Sequence, residues 1–357
     1  MNTSIVDLRS DTVTRPTPAM RRAMYDAEVG DDEYSEDPTV NRLQERAAEI
    51  FGREAGLFVA SGIMGNQTAL KVLTRPGLEV ICEERAHIYN FEMGTMAVFS
   101  GLLPRVIRAE NGILRWDLIF PHVRVQAAHR TRTGLIELEN TSNLAGGSVY
   151  PPEVFEEIAD QAHAVGLPVH LDGARIFNAA TALGRTVKEL TRKVDSVMFC
   201  LSKGLGAPVG SMLVGSREFI AEARIARKML GGGMRQVGVL AAAGLVALEE
   251  GPKHLHVDHD NAKFLARELA EIPGIRIEPE KVVSNILFFD VSACGLAAQE
   301  VSGRLKAVNI LANAVDSKFI RMVTHLDVDR TGCKRALKAL REVVSRSSQG
   351  RAPASMN

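Results

Sequence analysis

Several things are scarce or missing in this chain, and each absence narrows what it can be. There is no excess of either charge, since Lys plus Arg and Asp plus Glu number 43 each. No global field therefore draws the protein to nucleic acid or to an anionic membrane surface. No apolar run reaches the roughly 20 residues that a membrane-spanning helix needs. The opening MNTSIVDLRSDT has neither the basic n-region nor the apolar h-region of a secretory signal. Cysteine is limited to Cys82, Cys200, Cys294 and Cys333, too scattered for CxxC metal spacing or a disulfide framework. They read as small buried hydrophobes in a reducing compartment, so a cytoplasmic location is expected. GxGxxG after the first strand and GxxxxGK[ST] are both absent, which speaks against a nucleotide-dependent dehydrogenase. No internal repeat is visible.

What is present is an α/β pattern. The 357 residues exceed what one hydrophobic core usually organises. From about 55 to 216, β-rich runs alternate with helical spacing, with strands expected at 56–60, 79–83, 105–108, 134–139, 168–172, 196–201 and 211–214. The alternation predicts a large domain with a mostly parallel sheet covered on both faces, and near-continuous apolar runs such as VMFCL fit such a sheet. A helical pattern from about Gln236 stops at Glu250-Gly251-Pro252. The expected division is an N-terminal arm, 1–15, a large domain, 16–251, a small α+β domain, 252–346, and a disordered polar tail, 347–357. Within the small domain, helices are expected at 256–271, 297–308 and 329–346, with strands near 275–277, 285–290 and 320–324.

Two stretches carry chemistry. In SVMFCLSKGLGAPVGS, residues 196–211, a lysine stands where an oily strand enters a glycine-rich turn. In VHLDGAR, residues 169–175, Asp172 ends another apolar strand. Read alone, Asp172 is equally a helix N-cap. Its separation from Lys203, 203 − 172 = 31 residues, matches one strand-helix-strand crossover of roughly 30 residues. Both then lie at the carboxyl edge of neighbouring parallel strands, where open α/β sheets bind ligands.

A buried carboxylate, a lysine and a phosphate cradle on one sheet edge describe a site for pyridoxal 5'-phosphate (PLP). The neutral amine condenses with the aldehyde, and the carboxylate keeps the pyridine nitrogen protonated. The cradle candidate is LFVASGIMGNQTAL, residues 57–70, where a strand ends at Ser61-Gly62 and a helix begins. Its first N–H groups would face an anion; a capped helix with a close-packed glycine explains the same stretch. His87 follows a strand at the same edge and either lies on a cofactor ring, moves a proton, or is structural. His129 has weaker support. Arg321 is either a surface charge or the bidentate partner of a substrate carboxylate. The acidic run EVGDDEYSED, residues 28–37, follows no EF-hand spacing and reads as a solvated loop.

DLRSDTVTRPTPAM, GDDEYSEDPTVNRLQE, HIYNFEMG, LENT, HLDGARIFNA, LSKGLGAPVGS, RKMLGGGMRQVGVLAAAG and RMVTHLDV occur in order from residue 7 to about 328. Together they resemble the low-specificity L-threonine aldolases, fold-type I PLP enzymes of the β-eliminating lyase superfamily. The resemblance implies an aspartate aminotransferase-like large domain and a smaller α+β C-terminal domain. It implies that Lys203 carries PLP covalently beside Ser202, that Asp172 pairs with the ring nitrogen, and that His87 stacks on the ring. His87 with His129 would manage the proton of the substrate β-hydroxyl. Ser10, Tyr34, Arg175 and Arg321 would bind the amino-acid substrate, Arg175 also lying by the cofactor. Gly62 and Ile63 would donate N–H groups to the phosphate, with Lys228 and Arg235 near the cofactor.

The implied reaction is cleavage of L-threonine or L-allo-threonine to glycine and acetaldehyde, in a homo-oligomer and by likeness a homotetramer. Alternatives sharing Lys203 and Asp172 are phenylserine cleavage, β-elimination and racemisation. The chain departs from the family at Ile63, where Thr is usual, at Ser142, where His is usual, and at Met93-Gly94-Thr95, where the family has a double glycine.

Overall fold

The computed structural model describes residues 5–125 and 127–349. They form two compact units, one of residues 15–253 and one of the residues up to Thr14 together with those from His254 onward.

The larger unit is built on seven strands: β1 (Ala55–Val59), β2 (Glu79–Glu83), β3 (Leu103–Ile107), β4 (Thr133–Glu139), β5 (Val169–Asp172), β6 (Ser196–Cys200) and β7 (Ser211–Gly215). Their order in the sheet is β1-β7-β6-β5-β4-β2-β3. All neighbours run parallel except β7, which is antiparallel to both β6 and β1. β2, β4, β5, β6 and β7 are buried at every residue, as the unbroken apolar runs predict for a sheet covered on both faces.

Two helices position the polar edge of this sheet. Helix α1 (Gly62–Leu73) leaves β1 after a single turn, and its N-cap Ser61 accepts the Met64 N–H. It lies close on the sheet: a Cβ at Gly65 would stand 2.5 Å from the Met198 Cγ. Helix α2 (Ile176–Leu183) begins the crossover from β5 to β6, with Arg175 at its N-cap position. β5 and β6 are parallel neighbours with Asp172 opposite Met198, so the interval from Asp172 to Lys203 is one crossover.

In the smaller unit, Asn313–Ala314, Phe319–Val323 and Ile286–Asp290 form an antiparallel sheet in that order. Helices Leu255–Ala270, Ala298–Lys306 and Arg330–Gln349 accompany it. Val6–Asp7 pairs in parallel with Ile310–Leu311, which ties the start of the described chain into this unit.

Two expectations need correction. Residues 275–277 are not a strand. Arg276 alone exchanges its N–H and C=O with Asp290, and Pro279, lacking an N–H, opens a 3-10 turn just beyond. The polar tail expected from 347 continues the last helix to Gln349, and the rest of it lies outside the described residues. No helix among the described residues is long and apolar enough to cross a membrane.

Candidate active site

The carboxyl edge of β4, β5 and β6 carries two rows of polar side chains on one face. Strand register aligns Glu137 with His170 and Ser196, and Glu139 with Asp172. Period-2 alternation puts each row two residues from the next. All five residues are buried, His170 and Ser196 completely. Burying so many polar groups is tolerable only where they find hydrogen-bond partners.

Helix α1 supplies partners for two of them, Asp172 and His170. Asn66 donates its side-chain N–H groups to Asp172 Oδ2 and to Glu92 Oε1, both at 2.8 Å. Gln67 donates to Glu92 Oε2 at 2.6 Å. The Asn66 Oδ1 meets His170 Nε2 at 3.1 Å, and His170 Nδ1 meets Ser196 Oγ at 2.8 Å. With the Asn66 nitrogen committed to two carboxylates, its oxygen must accept. His170 therefore carries its proton on Nε2 and receives the Ser196 hydroxyl on Nδ1. Burial drives the His170 pKa down to about 4, in keeping with that neutral ring.

Asp172 accepts one further bond, from the Ala174 N–H at 3.0 Å. It turns the chain locally but caps no helix, since Arg175 occupies the N-cap position of α2. His87 opens a short helix, His87–Asn90, beyond β2. Its backbone N–H donates to Glu139 Oε2 at 2.7 Å, and its Nδ1–H donates to Glu92 Oε1 at 2.9 Å. One ligand atom each of His87, Glu92 and Asp172 lie within 4.8 Å of one another.

Electrostatics differ sharply among these groups. Burial opposes the charged form of His87, but the Glu92 hydrogen bond and the fields of Asp172 and Glu92 outweigh it. The His87 pKa is raised, and Lys203 acts against the rise. Burial and then Asp172 push Glu139 up to about 7, although the Asn143 and His87 N–H groups favour its ionised form. Burial, with Asp172 and Glu139 adding repulsion, raises Glu137 well above the carboxylate range. Neither Glu137 oxygen has a hydrogen-bond partner among the described residues.

Lys203 stands three residues beyond β6, half-buried in a loop that closes on itself. Gly206 N–H bonds the Lys203 carbonyl, Ala207 N–H bonds that of Leu201, and Leu201 N–H bonds that of Gly210. The loop needs glycine at 206 and 210, where φ is 85° and 99°. At Gly210 a Cβ would also stand 2.5 Å from the Phe58 ring. Ser202 is half-buried beside the lysine.

The start of α1 lies against the same strand end, since a Cβ at Gly62 would meet Cys200 Sγ at 3.0 Å. Ser61 accepts the N–H groups of Met64 and Gly65 through its hydroxyl and carbonyl oxygens. The N–H groups of Gly62 and Ile63, in the helix's first turn, have no intrahelical acceptor and point outward along the dipole.

Each of the other expected site residues has its own surroundings. His129 is exposed on the turn bridged by Ala127 and Arg130 and makes none of the cluster's hydrogen bonds. Tyr34 is exposed. Lys228 and Arg235 form ion pairs with Glu33 and Asp31 at 2.7 and 3.1 Å. Arg175 is buried at the start of α2. Ser10 and Arg321 belong to the smaller unit: Ser10 Oγ accepts the Thr12 N–H, and Arg321 donates to the Arg9 carbonyl at 3.2 Å.

The acidic run 28–37 is a correction, because it is not simply a solvated loop. Asp32 is fully buried against Arg227 at 2.7 Å, and Asp37 is buried, capping the helix Pro38–Phe51 and accepting the Gly238 N–H. Both Arg227 and Gly238 lie far along the chain from these acids, out of reach of any local spacing rule.

Asn66, Gln67, Glu92, Glu139 and His170 lie within LFVASGIMGNQTAL, HIYNFEMG, LENT and HLDGARIFNA, where the sequence alone gives them no role. A signal was available for some of them: Glu137 and Glu139, and His170 and Asp172, are paired at i, i+2 within apolar runs. Such pairs place polar groups on one face of a buried strand.

Known proteins resemble this chain in sequence and in fold. The model of the beta-eliminating lyase family matches residues 7–292. A low-specificity L-threonine aldolase of Escherichia coli K12 is 46% identical over 91% of this chain and 95% of its own. Low-specificity L-threonine aldolase 1 of Arabidopsis thaliana is 45% identical over 90% and 91%. Among solved structures, a threonine aldolase of Leishmania major superposes with a TM-score of 0.79 at 21% identity, over 95% of this chain and 99% of that one. A serine palmitoyltransferase of Sphingomonas wittichii gives 0.74 at 15%, over 97% and 88%. These two share the fold, that of the fold-type I PLP-dependent enzymes. The chain belongs to the beta-eliminating lyase family and, within it, to the low-specificity L-threonine aldolases.

Proposed function

We propose that this protein is a PLP-dependent aldehyde-lyase that cleaves β-hydroxy-α-amino acids of the L-threonine and L-allo-threonine type to glycine and an aldehyde. With threonine the aldehyde is acetaldehyde. The observation that carries the reading is the gathering of Asp172, Lys203 and the first turn of α1 at one edge of a buried sheet.

The chemistry of the donor set fits the cofactor. Asp172 is buried, and Asn66 and Ala174, which hydrogen-bond it, are neutral donors. A protonated pyridine nitrogen is a cation that such a carboxylate would balance. Gly62 and Ile63 would donate N–H groups to the phosphate, Ser202, Lys228 and Arg235 would stand near the cofactor, and Lys203 would bind its aldehyde carbon. PLP, when bound, supplies an electron sink for the pair released as the substrate Cα–Cβ bond breaks.

The chain's own residues orient the substrate and move protons. Arg175, Arg321, Ser10 and Tyr34 are the proposed ligands of the substrate, the arginines taking its carboxylate as bidentate donors. His87 takes the β-hydroxyl proton, directly or through a water shared with His129. Glu92 holds the ring by Nδ1 and raises its basicity, which suits a base working near neutral pH. Orientation of this kind contributes more than proton transfer, whose share is about 10²–10⁴-fold.

A homotetramer is the proposed assembly, supported by family likeness and by exposed Tyr25, Phe91, Met93 and Val98 on the single chain. Four cysteines held as thiols support a cytoplasmic location. Product analysis tests the reaction: purified protein with PLP and L-threonine or L-allo-threonine should release glycine and acetaldehyde in equal amounts. 2-Oxobutanoate and ammonia as the products would replace cleavage by β-elimination.

A further inference from the structure

We infer that Asn66 is a positioning residue whose side-chain amide locks Asp172 and Glu92 together as acceptors, coupling the proposed ring-nitrogen partner to the carboxylate that holds His87. The inference rests on the proposed PLP reading for what Asp172 does, and on geometry alone for what Asn66 does.

Asn66 is fully buried, and both polar atoms of its side chain are used. Nδ2 serves Asp172 Oδ2 and Glu92 Oε1 at 2.8 Å each. Oδ1 takes the Nε2–H of His170 at 3.1 Å, and Ser196 fixes the far side of that ring at 2.8 Å. An amide flip would set a carbonyl oxygen against two carboxylates and an NH₂ against an N–H. The orientation is therefore determined from both sides.

The placement is built into the backbone. Gly65 allows α1 to approach β6 closely, since a Cβ there would stand 2.5 Å from Met198 Cγ, and Asn66 is the next residue. Asn66 also follows Gly62 by about one helical turn, so the two lie on the same face of α1. One helix thus presents its first-turn N–H groups and, a turn later, the amide that holds Asp172.

Glu92 Oε1 accepts from both Asn66 and His87. Removing the Asn66 N–H leaves that oxygen a stronger acceptor for His87, and it leaves the charge of Asp172 less compensated. The charged groups acting on the imidazole are Asp172, Glu92 and Lys203, with Glu139 on its backbone N–H. Loss of the amide shifts the balance toward the imidazolium.

The test uses the full chain with Asn66→Ala and Asn66→Asp, with and without PLP. In the PLP-free protein, NMR titration of His87 should show its midpoint rising by roughly one pH unit in Asn66→Ala, the scale of a hydrogen bond to a charged group. Equilibrium dialysis should show PLP binding weakened on the order of tenfold or more in both variants. Should Asn66→Ala fail to fold, Asn66→Asp keeps the shape and still gives the dialysis result. Nitrogen NMR of the unaltered protein adds an independent reading: His170 should be neutral, with its proton on Nε2, from about pH 5.5 to 8. Unchanged His87 titration and PLP affinity in the variants, or a His170 proton on Nδ1, would overturn the inference. Failure of the unaltered protein to bind PLP would instead overturn the functional reading, while the His87 titration would still decide the role of Asn66.

Discussion

Glu139 and Asp172 stand opposite each other on adjacent parallel strands, two carboxyl groups in register on one face of strands buried at every residue. Two like charges so placed do not ionise independently. The Asp172 carboxylate is hydrogen-bonded by Asn66, whereas Glu139 is pushed up to about 7 by burial and by Asp172. Glu139 is thus a carboxyl able to change charge near neutral pH. The same carboxyl anchors the His87 backbone and, through the Asn143 N–H at 2.7 Å, the loop after β4.

Glu92 accepts from three side chains, Asn66, Gln67 and His87. Glu92→Gln would turn one of its acceptor oxygens into a donor facing donors. We expect a loss of about 2–4 kcal/mol of stability by denaturant titration. The His87 midpoint should move to lower pH, visible as a downward shift of the acid limb of kcat/KM.

The rows of buried acids and His170 give stability contributions of opposite sign with pH. His170 is held near 4 when folded and returns to about 6.5 when unfolded. Between those values the unfolded chain binds the extra proton, so stability falls as pH drops from about 6.5 to 4. Glu139 and Glu137 are raised when folded. There the folded chain binds the extra proton, so stability falls as pH rises from about 4.5 through 7. In the PLP-free protein, His170→Gln should flatten the acid decline, by about 3 kcal/mol at most. Glu137→Gln should raise stability at pH 8 more than at pH 5. Urea melts across that range measure both.

Met93 stands where the resembling family has glycine, and the structure shows a physical cost for it. Its φ is 55°, in the left-handed region, and the residue is 89% exposed. A side chain in that region costs about 1–2 kcal/mol, part of which glycine returns as unfolded-state entropy. Met93→Gly should therefore stabilise the isolated chain by roughly 0.5–1 kcal/mol, read as a higher urea midpoint. A decrease would mean that the Met93 side chain is bound by something in solution.

The fold was largely legible because a buried parallel sheet writes itself as apolar runs at crossover spacing. All seven strands of the large unit lie within two residues of the expected ends. Asp172 and Lys203 were legible because each ends such a run. Asn66, Gln67 and Glu92 were not, because a buried polar side chain on a helix or a turn is indistinguishable in sequence from an exposed one. The burial of the α1 pair depends on Gly65 letting that helix approach Met198. The acidic run 28–37 failed for a related reason: Arg227, which buries Asp32, is remote in sequence.

The central claim, that Lys203 holds PLP with Asp172 on the neighbouring strand, is tested most directly by borohydride reduction of the PLP-loaded protein, followed by mass mapping of the modified peptide. The expected result is a yellow protein that bleaches on reduction, with the pyridoxyl mass on Lys203 and none in Lys203→Ala. A protein that stays colourless with PLP, or a pyridoxyl group that persists in Lys203→Ala, would contradict it.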